Sequence, residues 1–377
     1  MHTFSLRLFR LILLLLPLWA GQSCRQANHP LTTGEELETT YARGFQITRY
    51  PDYSVADLCD PWDTTRLLHR YIFLEKGKEI PPQLPEGTLI RTPVNRMVVY
   101  STVHGSMLNE LGLARSIVGV CEAEYISVPA IQEGLQSGEI ADLGRSIAPD
   151  IEKIIELSPE AILVSPFENS GYGRVEKLAI PLIECADYME NTPLGRAEWI
   201  RFIGLFTGRE READSIFQEV ESRYTELCRQ VTVRSRPTVL SEKKTGATWF
   251  VPGGKSYMAR LFADAGADYL WKEDSHAGSL SLSFEEVFDR AQTADFWVIK
   301  CSAPNGMSYS DLAAEYAPYS RFKAFSERNI FICDLSSNRF FEEVPLHPEL
   351  LLKDFILIFH PELFPGEDYR YHFRLQP

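Results

Sequence analysis

Downstream of residue 96, short apolar runs alternate with helical stretches, and they do so in two successive series. The first series has strand-like runs at Met97-Val98-Val99-Tyr100, Ile117-Val118-Gly119-Val120, Ala161-Ile162-Leu163-Val164 and Ile180-Pro181-Leu182-Ile183. The second has them at Thr238-Val239-Leu240, Thr248-Trp249-Phe250-Val251, Phe296-Trp297-Val298-Ile299 and Ile330-Phe331-Ile332-Cys333. Helical patterns cover Ser106 to Leu113, Ile151 to Leu157, Ser256 to Ala265, Phe284 to Ala291 and Glu349 to Phe359. Strands that alternate with helices predict, for each series, a mainly parallel sheet covered on both faces. Asp150 stands as an N-cap and Pro159 follows the end of its helix.

A helical stretch separates the two series. Thr192 with Pro193 at the first helical position starts it, and Gly208 ends its first helix. Arg209 to about Gln230 forms a second, with Ala213, Ile216, Phe217, Val220, Tyr224 and Leu227 at helical spacing. At 1.5 Å per residue, about 22 residues reach roughly 33 Å, enough to bridge two lobes. The same spacing also fits an amphipathic core helix. The length of 377 residues suits two domains, and the chain divides into residues 44–191, a connector at 192–234 and residues 235–377.

Ahead of these lies an export signal. Arg7 and Arg10 precede an apolar run from Leu11 to Leu18, too short for a bilayer of roughly 30 Å. Residues 1–23 are expected to be removed. Cys24, preceded by Ser23, sits where a bacterial lipoprotein carries its lipid, although Gly21 replaces the usual leucine. Gly21 and Ser23 also suit an ordinary signal peptidase. Residues 24–43 then read as lipid anchor and polar tether. After processing, 36 basic residues stand against 52 acidic ones, a net charge of −16. With no dense basic run, nucleic acid is a poor partner. Besides Cys24 there are Cys59, Cys121, Cys185, Cys228, Cys301 and Cys333, none in a CxxC pair. Export permits disulfides, but the apolar surroundings of Cys185, Cys301 and Cys333 favour buried free thiols.

Taken in order, Val94-Asn95-Arg96-Met97-Val98-Val99-Tyr100, Leu111-Gly112-Leu113, Ile117-Val118-Gly119-Val120, the stretch from Asp150 to Leu163 and the later Ser283-Phe284-Glu285-Glu286-Val287-Phe288 resemble the substrate-binding proteins of bacterial ABC importers. The resemblance covers about residues 90 to 360, in the class with a rigid interlobe helix that serves iron-siderophores, haem and cobalamin. It implies an α/β fold of two Rossmann-like lobes with mainly parallel sheets, joined by a long interlobe helix. It further implies a small-molecule ligand (ferric siderophore, haem or cobalamin), an ABC permease dimer as partner, no cofactor, no catalysis, and a monomer held by its lipid at the periplasmic side of a membrane. Glu152 and Glu285 match the family's acidic docking positions, one on each lobe, where carboxylates set orientation by charge. The residues before 90 exceed the usual leader and are expected to add a β hairpin layer to the first lobe. Gly44-Phe45-Gln46-Ile47-Thr48-Arg49-Tyr50 and Arg70-Tyr71-Ile72-Phe73-Leu74 carry its strand patterns.

Ligands of open α/β sheets bind beyond the carboxyl ends of the strands. Residues following the expected strands therefore supply the candidates: His104, Tyr125, Arg145, Phe167, Trp249, Arg339 and Phe340. Aromatic faces with a few cations suit a large, flat or macrocyclic ligand, and the arginines suit carboxylates. Two other readings remain: an exported two-lobed α/β enzyme, and a zinc- or manganese-binding protein using His104, His276 and His347. Against an enzyme, the chain has no GxSxG or HExxH, and Gly253-Gly254-Lys255-Ser256 lacks the first glycine of a P-loop, which falls at Trp249.

Overall fold

A computed structural model describes residues 34–233 and 235–376. The export signal, Cys24 and the first part of the tether lie outside the described residues. The remaining part of the tether is built into the fold. Backbone N–H groups of Thr40, Tyr41 and Ala42 donate to the buried Glu198 carboxylate, and those of Arg43 and Gly44 to Glu190.

The leader is larger than a hairpin. Strands β1 (Glu35–Leu37), β2 (Phe45–Arg49), β3 (Tyr53–Cys59), β4 (Leu67–Glu75) and β5 (Thr88–Thr92) form one sheet in chain order, antiparallel except for the β4–β5 pair.

In the first α/β half, β6 (Met97–Val99), α1 (Thr102–Glu110), β7 (Ile117–Val120), α2 (Pro129–Ser137), β8 (Ala141–Asp142), α3 (Ile151–Leu157), β9 (Ala161–Val164) and β10 (Leu182–Glu184) follow one another. The strands are parallel in the order β10-β9-β6-β7-β8. Met97 and Val99 face the main core, whereas Val98 faces a separate cluster with Ile151, Ile154 and Ile162. That period-two split buries both faces, as the apolar runs require.

The connector consists of α4 (Pro193–Thr207) and α5 (Glu210–Gln230). The Thr192 side chain accepts from the Gly195 N–H at the start of α4, and Gly208 closes it at a φ of 69°. Ring packing of Phe45, Tyr71 and Phe73 on Trp199, Phe202 and Phe206 seats the leader sheet on α4.

The second α/β half runs through β11 (Thr238–Ser241), β12 (Lys244–Thr245), β13 (Thr248–Pro252), α6 (Tyr257–Asp264), β14 (Asp268–Tyr269), β15 (Ser279–Leu282), α7 (Phe284–Ala291), β16 (Phe296–Cys301), α8 (Tyr309–Glu315), α9 (Lys323–Ser326), β17 (Ile330–Asp334), α10 (Phe340–Glu343), α11 (Pro348–Phe359) and β18 (His372–Arg374). Its main sheet has the order β14-β11-β16-β17-β18, parallel except for β18, and β12-β13-β15 form a small antiparallel sheet.

Bridging between the halves falls first to α4, which packs on α1 and also on α6 and α11. The longer α5 lies along α4 and α11, with the Tyr224 hydroxyl 2.8 Å from Asp264. The division has a simple cause. Nearly every α4 side chain is buried, so α4 needs cover all round, whereas α5 buries one stripe of Ala213, Phe217, Val220 and Tyr224. A second tie joins the halves directly. The Glu342 carboxylate accepts from the Thr102 hydroxyl at 2.7 Å and from the Ser127 N–H at 2.6 Å. The six cysteines among the described residues are free thiols, with Cys121, Cys185 and Cys333 buried.

Candidate functional site

Strand order fixes where a ligand crevice opens. It lies beyond the carboxyl ends of two neighbouring strands from which the chain departs in opposite directions. In the first half these are β6 and β9, in the second β11 and β16. A cavity of 850 Å³ sits at the first point, lined by Tyr100, Ser101 and Thr102 after β6 and by Ser165 and Phe167 after β9. A second, of 710 Å³, sits at the other point, lined by Glu242 and Lys243 after β11 and by Lys300 and Cys301 of β16. Tyr188, Met189 and Glu190 close its opposite side, so it lies between the halves. The Phe167 ring of the first cavity packs 5.7 Å from the Tyr188 ring of the second, and the two spaces adjoin.

Apolar side chains are left bare here. Tyr125 (68% exposed), Ile147 (85%) and Phe167 (62%) line the first cavity, and Phe250 (44%) lines the second. They are four of the eight large hydrophobic side chains exposed among the described residues, and a concentration of that kind marks a binding surface.

The polar groups differ between the two walls. Lys300 meets the Glu242 carboxylate in the second cavity. Burial pushes the Lys300 ammonium toward the neutral form, but the Glu242 charge and hydrogen bond outweigh it and raise its pKa. Glu242 has a φ of 65°, a left-handed backbone that costs a non-glycine residue about 1 kcal/mol. Its carbonyl accepts from the Trp297 indole at 2.7 Å. Lys243 pairs with Glu315. In the first cavity Glu122, at a φ of 54°, accepts from the Ser146 N–H and hydroxyl at 3.0 and 2.9 Å. Arg174 lines this cavity and has no carboxylate partner among the described residues. The Tyr100 hydroxyl is buried at the same cavity without a hydrogen-bond partner among the described residues, and burial raises its pKa.

Of the residues expected from sequence, Tyr125 and Phe167 stand on the first cavity wall. Arg145 is exposed next to Ser146, which lines it, and has no carboxylate partner among the described residues. The remaining four are placed otherwise. Trp249 is fully buried, stacked 5.6 Å from Trp297, because β13 alternates and turns Trp249 inward and Phe250 outward. On this strand Phe250, not Trp249, faces the cavity. His104 is 1% exposed and lies 3.1 Å from Asp187, which also takes Arg196 at 3.0 Å. Burial works against the Asp187 charge, but Arg196 and His104 prevail and lower its pKa. Arg339 pairs with Glu342 and Glu343, and Phe340 is buried against Phe341 and Tyr371. Neither lines the two cavities.

His276 pairs with Asp274 and His347 with Glu349, so the three histidines considered for a metal each face a different carboxylate. Glu152 and Glu285 are both exposed, each the second residue of its helix. Their helices lead into β9 and β16, which flank the first strand of their sheets in the same way. Ile147, Arg174, Tyr188, Glu242 and Lys300 also line the two cavities, and no motif or spacing in the sequence marks them. Only Phe250 carried a usable signal, in the alternation of its strand.

The periplasmic binding protein family model matches residues 97–336, which takes in both crevices and the helices between them. An uncharacterized lipoprotein of Methanocaldococcus jannaschii is 28% identical over 321 residues, covering 81% of this chain and 75% of the relative. A periplasmic binding protein from Veillonella parvula superposes with a TM-score of 0.59 at 15% identity, over 71% of this chain and 92% of that one. An Fe3+-hydroxamate transport protein from Saccharomonospora viridis gives a TM-score of 0.54 at 18% identity, over 73% and 94%. With two α/β halves, a shared cleft and a match across most of its length, the chain belongs to the periplasmic binding protein family, the substrate-binding proteins of ABC transporters.

Proposed function

We propose that the protein is an exported lipoprotein, anchored through Cys24, that captures an iron chelate (a siderophore or haem) or cobalamin and delivers it to an inner-membrane permease without catalysis. The observation that carries this reading is the cluster of bare apolar side chains, Tyr125, Ile147, Phe167 and Phe250, at the two adjoining crevices. Covering such surface gains about 25 cal/mol per Å², and a large ligand with flat or apolar faces covers several of these side chains at once. The M. jannaschii relative bears a lipoprotein name, and the S. viridis neighbour is described as part of an Fe3+-hydroxamate transport system. Both support the anchor and the ligand class.

Delivery rests on Glu152 and Glu285. Each stands exposed at a helix start, and together they offer one negative contact per half to a basic permease surface.

Titration with ferric siderophores, haem and cobalamin, followed by tryptophan fluorescence, tests the reading. Trp297 bonds to Glu242 on the cavity wall, so a strongly absorbing ligand there quenches it. Saturable quenching with a Kd at or below about 1 μM is expected for one class. No response to any of them removes the proposed ligands. Glu152→Lys combined with Glu285→Lys is expected to abolish uptake in cells and leave ligand affinity unchanged; uptake that survives removes the docking assignment.

A further inference from the structure

Among the described residues, the pair Lys300–Glu242 differs from the other lysine and arginine pairs in that both partners line the cavity between the halves, whereas Lys243 there pairs with Glu315 outside it. It stands at the crevice between β11 and β16, in the wall of the 710 Å³ cavity, with one partner on a strained left-handed backbone. Both side chains are mostly buried, and ion pairs drawn largely out of water contribute little net stability compared with apolar packing. Strained residues persist where the surroundings over-determine them, and they cluster at ligand sites. Here the surroundings are visible: the Glu242 N–H donates to the Val298 carbonyl at 2.9 Å and its carbonyl takes the Trp297 indole at 2.7 Å. The backbone of Glu242 is thereby fixed independently of its carboxylate, and that carboxylate is free to yield its lysine.

The other acids at the two cavities are not in that position. Glu190 is held by the N–H groups of Arg43 and Gly44 and by the Trp199 indole, and Glu122 by Ser146. On the facing half, Arg174 lines the first cavity without a carboxylate partner among the described residues. The molecule as a whole carries a net charge of −14 before processing, so its long-range field repels an anion. Cations placed at the crevice compensate locally for that field.

We propose that the cleft selects anionic chelates, and that Lys300 leaves Glu242 on binding to supply the charge contact from the second half, opposite Arg174. The inference rests on the chelate-binding reading above and narrows it to ligands with peripheral negative charge, such as ferric tris-catecholates, over neutral ferric trihydroxamates and cobalamin.

The test compares a ferric tris-catecholate with a neutral ferric trihydroxamate on the full-length protein and three variants. Lys300→Met is expected to weaken tris-catecholate binding by about ten-fold or more and trihydroxamate binding by less than about two-fold. Glu242→Gln is expected to strengthen tris-catecholate binding, because the lysine no longer has to be withdrawn from a competitor. The double variant leaves neither member of this pair charged and unpaired, which guards against misfolding of the single ones, and is expected to show the same selective loss as Lys300→Met. Equal losses for both chelates, or no loss in the double variant, overturn the proposal. If the natural protein binds the trihydroxamate and not the tris-catecholate, the proposal fails while the chelate-binding reading stands. If it binds neither of these nor haem nor cobalamin, both fail.

Discussion

The wall built at β6 and β9 and the wall built at β11 and β16 occupy the same place in their sheets, yet their side chains are satisfied in different ways. The first leaves Tyr125, Ile147 and Phe167 bare, and Arg174 without a carboxylate among the described residues. The second buries its large aromatics, Trp249 and Trp297, behind the surface and faces the cavity with a closed ion pair and Phe250. Topology therefore fixes where the crevices open, while the residues after each strand decide what lines them. One wall presents bare apolar area, and the other a paired charge.

Substitutions that separate buried from bare aromatics test this contrast most severely. Trp249→Ala is expected to cost about 3–5 kcal/mol of unfolding free energy, measured by urea denaturation, because it empties a packed site among Trp297, Tyr319 and Phe322. Phe250→Ala, one residue on, is expected to cost less than about 1 kcal/mol and to act on ligand affinity instead. Similar costs for the two dissolve the contrast. Next in size, Tyr125→Ala with Phe167→Ala is expected to leave stability within about 1 kcal/mol and to weaken ligand binding by about 2 kcal/mol, read by titration. Loss of stability without loss of affinity makes the bare wall structural.

The smallest effect concerns the edge of the second wall. Burial disfavours the Asp334 charge, yet donors from Ser336, Ser337 and Ala303 prevail and hold its carboxyl at about 2. A depressed carboxylate stabilises the fold fully above its unfolded pKa of about 3.9 and loses that contribution as pH falls through about 2. Unfolding measured across this range is expected to show natural-protein stability falling by on the order of 1–2 kcal/mol more than that of Asp334→Asn. Parallel pH profiles remove this carboxylate from the account of the wall.

Much of the framework is legible in the sequence because its signals are local. Asp150, Thr192, Pro193 and Gly208 set helix ends as their side chains and backbone require. The apolar runs become buried strands, and the crevices fall where the strand-end rule puts them. The site is less legible because its decisive contacts are distant. Glu242 meets Lys300 across 58 residues and Glu342 meets Thr102 across 240. Arg339 pairs with Glu342 as soon as α10 turns, which withdraws it from the cleft. His104, one turn into α1, points at Asp187 on a turn that no periodicity announces. The leader sheet was visible as strand patterns, but its purpose of covering the apolar α4 emerges only once Phe45, Tyr71 and Phe73 are seen against Trp199, Phe202 and Phe206.

In the proposed complex one ligand is held between both walls. Amide hydrogen exchange, with and without the tightest-binding chelate of the panel, measures this directly. Slowed exchange is expected at residues 122–126, 146–148 and 167–174 of the first wall together with residues 242–257 of the second. Protection confined to one wall, or lying away from both, contradicts it.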